Sequence, residues 1–196
     1  MPNGTTTLDG VHVNPFGVAK PRLRPRMNAA ARYTLGKENS AHTLRTAAAS
    51  GAEVVVVTGD TAVASWTADL GFGVIDEAPG GGLNGAIAAL QREARYNGHA
   101  ARPWLALHAD LPMLTDRDVA ALLQALSETS AVIAPSYDGG TSAMGSPYRM
   151  RTRYGVGSYH HHLRRLQLAS RVTVVNRPGL AFDLDTVADL EMMLAA

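Results

Sequence analysis

Apolar residues in this chain fall into short runs separated by glycine, proline and acidic residues. Val54 to Thr58 carries four consecutive valines, and Leu105 to Pro112, LALHADLP, sets small and branched residues before a carboxylate and a proline. Runs of this length, without polar alternation, predict strands buried on both faces of a sheet. Shorter runs at Val11–Asn14, Gly73–Ile75, Ala131–Ala134 and Val172–Val175 predict further strands.

Between them the spacing changes to the helical period. Asn28 to Ser50 is alanine-rich and ends at Gly51, with one weak point at Gly36, and Thr61 to Leu70 reads as a short helix. Leu83, Ala86, Ile87, Leu90 and Ala94 recur at helical intervals, as do Val119, Leu122, Leu123 and Leu126 after Thr115. Thr115 with Asp118, and Thr186 with Asp189, have the spacing of capping boxes that open helices. Ser136 to Tyr159, rich in glycine, serine and tyrosine, gives no clear period. Strands alternating with helices predict an α/β fold with a mainly parallel central sheet covered on both faces, three layers in all. The predicted domain is single and spans 11–196, behind a polar lead-in over 1–10 that is expected to be disordered.

Composition narrows the function classes. With no cysteine in 196 residues, a disulfide framework, a thiolate metal site and a cysteine nucleophile are excluded. A net charge of +1 makes no case for nucleic acid as a partner, and no apolar run approaches the roughly 20 residues of a membrane span. The N-terminus lacks the pattern of a secretory signal, so the expected location is cytoplasmic. Oligomeric state stays open, a homodimer included.

The candidate chemistry is acidic and basic. Asp110 lies at the expected C-terminal tip of a strand, where open α/β sheets bind ligands. Asp183 and Asp185, two apart in an extended segment, project to one side. If the three meet, their repulsion calls for a hard cation, and oxygen-only ligation suits Mg²⁺. The plain alternative is that Asp110 caps the next helix. On the metal reading, neutralising Asp110 or Asp185 removes repulsion and leaves the melting temperature unchanged.

Lys20, Arg22 and Arg24 follow the first strand on a segment braced by Pro21 and Pro25, and are placed to clamp a triphosphate; the alternative is a solvated basic surface. Gly80-Gly81-Gly82-Leu83-Asn84-Gly85 opens a helix, but matches neither the P-loop nor the dinucleotide fingerprint. Asn84 can bond a nucleobase or cap its own helix. Asp138–Ser142 and Tyr154–Ser158 are loops with small hydroxyls and free backbone donors, suited to an anionic acceptor or to plain turns. His160-His161-His162 cannot converge on one ion from a helix or a strand.

In this order, Ala19-Lys20-Pro21-Arg22-Leu23, Val54–Asp60, Gly80–Asn84, Ala109–Pro112, Gly140-Thr141, Gly155–Ser158 and Phe182–Thr186 resemble the 2-phospho-L-lactate guanylyltransferase family of coenzyme F-420 biosynthesis, which includes members that use phosphoenolpyruvate. The likeness runs from about Val11 to Leu194. It implies the fold of the nucleotide-diphospho-sugar transferases and a Mg²⁺-dependent transfer of GMP from GTP to a small phospho-acid. By motif, Lys20 and Arg22 would hold the triphosphate and Gly82 and Asn84 would lie near guanine. Asp110, Asp183 and Asp185 would hold Mg²⁺, and Thr141, Gly155 and Ser158 would seat the acceptor. The chain departs from the family pattern at Asn14, where a lysine is usual, at Ser142–Pro147, which replaces a leucine-rich continuation, and at Val156, where proline is common. Two other readings stand beside this one: another nucleotidyltransferase of the fold, such as a molybdopterin guanylyltransferase, and a non-catalytic GTP-binding module.

Overall fold

In a computed structural model, which describes residues 7–18, 20–78, 80–96, 102–128 and 131–195, the apolar runs become one seven-stranded sheet. The strands are β1 (Leu8–His12), β2 (Glu53–Thr58), β3 (Gly73–Asp76), β4 (Trp104–His108), β5 (Ala131–Pro135), β6 (Thr141–Ser146) and β7 (Val172–Val174). The helices are α1 (Ala29–Ala49), α2 (Thr61–Asp69), α3 (Gly82–Tyr96), α4 (Asp116–Glu128), α5 (Ser158–Ala169), α6 (Pro178–Ala181) and α7 (Val187–Leu194). The spatial order is β3-β2-β1-β4-β6-β5-β7, and every adjacent pair is parallel except those made by β6, which runs antiparallel to β4 and β5.

The period of two along each strand sorts side chains into two cores. On one face Val11, Val54, Val56, Leu105 and Leu107 pack with Leu44 of α1, Val63 of α2 and Leu122 of α4. On the other Leu8, Val57, Trp104, Ile133 and Met144 pack with Ile87 and Leu90 of α3 and Leu166 of α5. Each such side chain contributes roughly 1.5–3 kcal/mol by leaving water, which is why these runs tolerate no polar alternation. Gly10 lets α3 come close: a Cβ there would lie 2.5 Å from Leu90 Cδ2. No helix among the described residues is long and apolar enough to cross a membrane.

Several boundaries differ from the sequence expectation. β1 begins at Leu8, so Leu8, Asp9 and Gly10 belong to the sheet and not to a lead-in; the rest of that lead-in, through Thr6, lies outside the described residues. β4 ends at His108, which puts Asp110 on the loop beyond the strand. β6 and α5 arise inside the stretch without a readable period. β6 is built from Thr141-Ser142-Ala143-Met144-Gly145-Ser146 and is wholly buried. It lies between β4 and β5, with Met144 packed in one core, and at Gly145 a Cβ would lie 2.7 Å from the Trp104 carbonyl oxygen. α1 runs unbroken through Gly36, whose missing side chain faces a pocket.

Candidate active site

The chain leaves β1 for β2 and β3 on one side and returns to β4 on the other, so the C-terminal ends of β1 and β4 flank a switch point, where parallel sheets open a crevice. A pocket of about 440 Å³ sits there. Its polar lining includes His12, Lys20, His108, Asp110, Asp183 and Asp185, with Ser40 of α1 opposite.

Lys20 is the centre of this arrangement. Pro21 opens a single 3₁₀ turn, and Lys20 before it adopts a left-handed backbone, φ 53°, the one non-glycine residue with positive φ among the described residues. Such a conformation is strained and persists where the surroundings fix it. Its ammonium is buried and donates to Asp110 Oδ2 at 2.6 Å and to the Leu184 carbonyl at 2.5 Å, and lies 3.6 Å from Asp185 Oδ1. Arg22, exposed, lies 3.6 Å from the other Asp185 oxygen. The Leu184 N–H donates to the Asp110 carbonyl at 3.0 Å, which ties the segment Phe182–Asp185 to the loop after β4. Leu184 points into the core, so its neighbours Asp183 and Asp185 both turn the opposite way, toward the pocket.

The electrostatics follow from this packing. Burial alone would raise the Asp110 carboxyl, but the Lys20 ammonium and His108 more than offset it and hold it below its usual range. Asp183 has no such partner: burial, with Asp110 and Asp138 nearby, pushes it up to about 7. Burial also lowers His108, whose Nδ1 stands 3.9 Å from Asp110 Oδ1 and whose Nε2 is buried without a partner. Among the described residues no three His, Cys, Asp or Glu side chains form a ready metal cage. What exists is an open set of oxygens around one cation, Lys20. That donor set fits Mg²⁺, which takes one or two carboxylates and completes its shell with water and phosphate.

A second cavity, about 290 Å³, adjoins the first and is lined by Asn14, Thr58, Glu77 and Gly82. Glu77 accepts from His12 Nε2 at 3.1 Å, a pair the sequence reading did not single out because its members are 65 residues apart. Gly82, at φ 52°, starts α3 at the mouth of this cavity. Asn84 does not reach it as an acceptor: its Oδ1 already accepts from Thr152 Oγ1 and the Tyr154 N–H, each at 3.0 Å.

The expected acceptor residues are gathered on the β6 side. The antiparallel register ends with Leu107 opposite Ala143, and Thr141 opens β6 two residues before that pair. Thr141 Oγ1 lies 3.0 Å from His162 Nδ1 and 3.3 Å from Ser158 Oγ. The Arg153 N–H donates to His162 Nε2 at 2.9 Å, so the neutral ring carries its proton on Nδ1 and donates to Thr141. Burial lowers His162 to about 4, which keeps it neutral. The Thr141 and Ser158 hydroxyls continue this chain, with either able to donate to the other. Gly155, φ 137°, accepts from the Ser158 N–H at 3.1 Å. Of the three consecutive histidines only His162 is buried, while His160 is exposed, as a helix dictates. Arg24 is exposed.

Comparison with known proteins bears on the family and the fold. The MobA-like NTP transferase domain family matches residues 22–175. A phosphoenolpyruvate guanylyltransferase of Sphaerobacter thermophilus is 34% identical over 194 residues, 95% of this chain and 91% of that protein. One of Rubrobacter xylanophilus is 39% identical over 148 residues, 73% of this chain and 71% of that protein. A 2-phospho-L-lactate guanylyltransferase of Methanothermobacter thermautotrophicus is 28% identical, covering 92% and 80%. Among solved structures, a Desulfovibrio desulfuricans G20 protein, provisionally named a nucleotide-diphospho-sugar transferase, superposes with a TM-score of 0.80 at 19% identity, covering 96% of this chain and 86% of that one. An MobA-like core carrying full-length likeness to these enzymes leaves one conclusion: the chain is a nucleotidyltransferase and belongs to the phosphoenolpyruvate/2-phospho-L-lactate guanylyltransferase family.

Proposed function

We propose that this protein transfers GMP from GTP to phosphoenolpyruvate, or to 2-phospho-L-lactate, with release of pyrophosphate, as a step of coenzyme F-420 biosynthesis. The observation that carries the reading is the Lys20 ammonium held between Asp110 and the Asp183–Asp185 segment at the switch point. The names of the relatives at 34% and 39% identity support phosphoenolpyruvate as the first acceptor to test.

In the proposed reaction an acceptor phosphate oxygen attacks the α-phosphorus of GTP, and the bond from that phosphorus to the oxygen bridging to the β-phosphate breaks. Both electrons leave with pyrophosphate, so no covalent enzyme intermediate is needed. Lys20 and Arg22 neutralise charge on the triphosphate, and the Thr141–Ser158–His162 network orients the acceptor carboxylate. Gly82, with no side chain, leaves room for the base in the second cavity, and Asn84, its Oδ1 held by the loop at 152–154, would lie near guanine from the first turn of α3. Asp110, Asp183 and Asp185 would hold Mg²⁺, which when bound offsets charge on the leaving pyrophosphate.

The test is a panel of GTP, CTP, UTP and ATP with each acceptor, with and without chelator, followed by pyrophosphate release and mass spectrometry of the product. The expected result is a guanylylated phospho-acid from GTP alone, abolished by chelation. GTP binding without pyrophosphate release under either acceptor, or turnover with molybdopterin only, would overturn the proposal.

A further inference from the structure

The two Thr-x-x-Asp starts fold into the same capping box, yet differ in what holds the second oxygen of the acid. At α4 the Thr115 N–H and hydroxyl donate to Asp118 Oδ2 at 2.9 and 2.7 Å, and Arg177 Nε donates to Oδ1 at 2.5 Å. At α7 Asp189 Oδ2 accepts from the N–H groups of Thr186 and Asp185, at 2.6 and 2.9 Å, while Oδ1 accepts from the Tyr137 hydroxyl. A box that caps only its helix does not need the Asp185 N–H. Asp189 is 1% exposed, so these donors are its whole environment.

Tyr137 follows β5 and is fastened to the same segment at three places. Its N–H donates to the Ala181 carbonyl at 2.8 Å, and its ring stacks on Phe182 with centroids 6.2 Å apart and planes at 19°. Its hydroxyl reaches Asp189, and that bond, with burial, raises the phenol above its ordinary value, so it stays a donor at neutral pH. Residues 182–185 lie in no strand or helix, so no ladder sets their course. They are pinned from the pocket side by Asp110 and Lys20, and from behind by Asp189.

We propose that Tyr137, acting through Asp189, is a positioning residue that fixes Asp183 and Asp185 toward the pocket. This rests on the reading of those two carboxylates as metal-holding groups. Side chains on an irregular segment keep productive geometry only if their supports are themselves locked. The Arg177–Asp118 pair at α4 does the capping half of this work without touching the pocket.

The experiment compares Tyr137→Phe, which removes one hydroxyl, with Arg177→Met, which cuts the corresponding arm at α4. Three quantities are read: hydrogen exchange of the peptide covering 182–190, Mn²⁺ affinity in the presence of GTP, and kcat with phosphoenolpyruvate. For Tyr137→Phe the expectation is faster exchange at Asp185 and Thr186, with Mn²⁺ affinity and kcat each lower by about tenfold and the acceptor KM within about twofold. Arg177→Met is expected to lower the melting temperature and to leave Mn²⁺ affinity and kcat near wild type. The proposal is overturned if Tyr137→Phe keeps wild-type Mn²⁺ affinity and kcat, or if Arg177→Met reproduces the losses. Should the wild-type protein neither bind Mn²⁺ nor release pyrophosphate, the guanylyl-transfer reading fails instead; unchanged exchange in Tyr137→Phe then still refutes the pinning.

Discussion

Asp9 stands in the middle of β1, opposite Val54 on one side and Leu105 on the other, fully buried, with neither carboxylate oxygen hydrogen-bonded. Burial pushes its carboxyl from 3.8 up to about 7. The folded chain therefore holds a proton that the unfolded chain releases near pH 4. Stability from this group is fully present below about pH 4 and is lost as pH rises through about 7. At about 1.4 kcal/mol for each of about three pH units, the loss comes to roughly 4 kcal/mol by pH 8. Asp9→Asn removes the ionisation and keeps the shape. Desolvation of the new amide is the same at every pH, so it cancels when the variant is compared with wild type at two pH values. Urea unfolding at pH 4 and pH 8, in chelator, should show the variant gaining roughly 4 kcal/mol on wild type between the two. A difference that stays constant within about 1 kcal/mol would refute the account of Asp9 as an uncompensated buried acid.

Asp110→Asn is expected to abolish pyrophosphate release and also to cost roughly 3 kcal/mol in a thermal melt, because it strands the buried Lys20 ammonium. This revises the sequence expectation of an unchanged melting temperature, which assumed bare repulsion among the carboxylates. Asp185→Asn, at a half-exposed carboxylate 3.6 Å from Lys20, should lose turnover with the melting temperature retained. Thr141→Val breaks the chain from His162 to Ser158, and should raise the acceptor KM about tenfold with the GTP KM unchanged in steady-state assays. Gly145→Ala forces a Cβ to within 2.7 Å of the Trp104 carbonyl and should destabilise the fold by roughly 2 kcal/mol, measured by urea midpoint.

The buried parallel strands were legible because four consecutive valines, or LALHADL before a proline, suit few other environments. The Asp183-Leu184-Asp185 pattern likewise told its orientation, since one core residue between two acids forces both to the same side. β6 was not legible: its Thr-Ser-Ala-Met-Gly-Ser composition has little strand preference, and it is a strand because it pairs with β4 on one side and β5 on the other. Nor could spacing show that Lys20 would lie between Asp110 and Asp185, or that Glu77 would meet His12, because those contacts join residues brought together only by the sheet order. Asn84 Oδ1 also holds Thr152 and Tyr154 of a loop some 70 residues away, a contact that no spacing in the sequence could show.

The left-handed backbone at Lys20 sets the fold's comfort against its chemistry. Glycine would adopt that geometry without the roughly 1 kcal/mol penalty an L side chain meets there, but it would also leave Asp110 without its ammonium partner, which is the larger loss. A redesign that weighed backbone geometry alone would choose glycine and so delete the ammonium between Asp110 and Asp185; Lys20→Gly set against Lys20→Ala separates the backbone's share from the charge's.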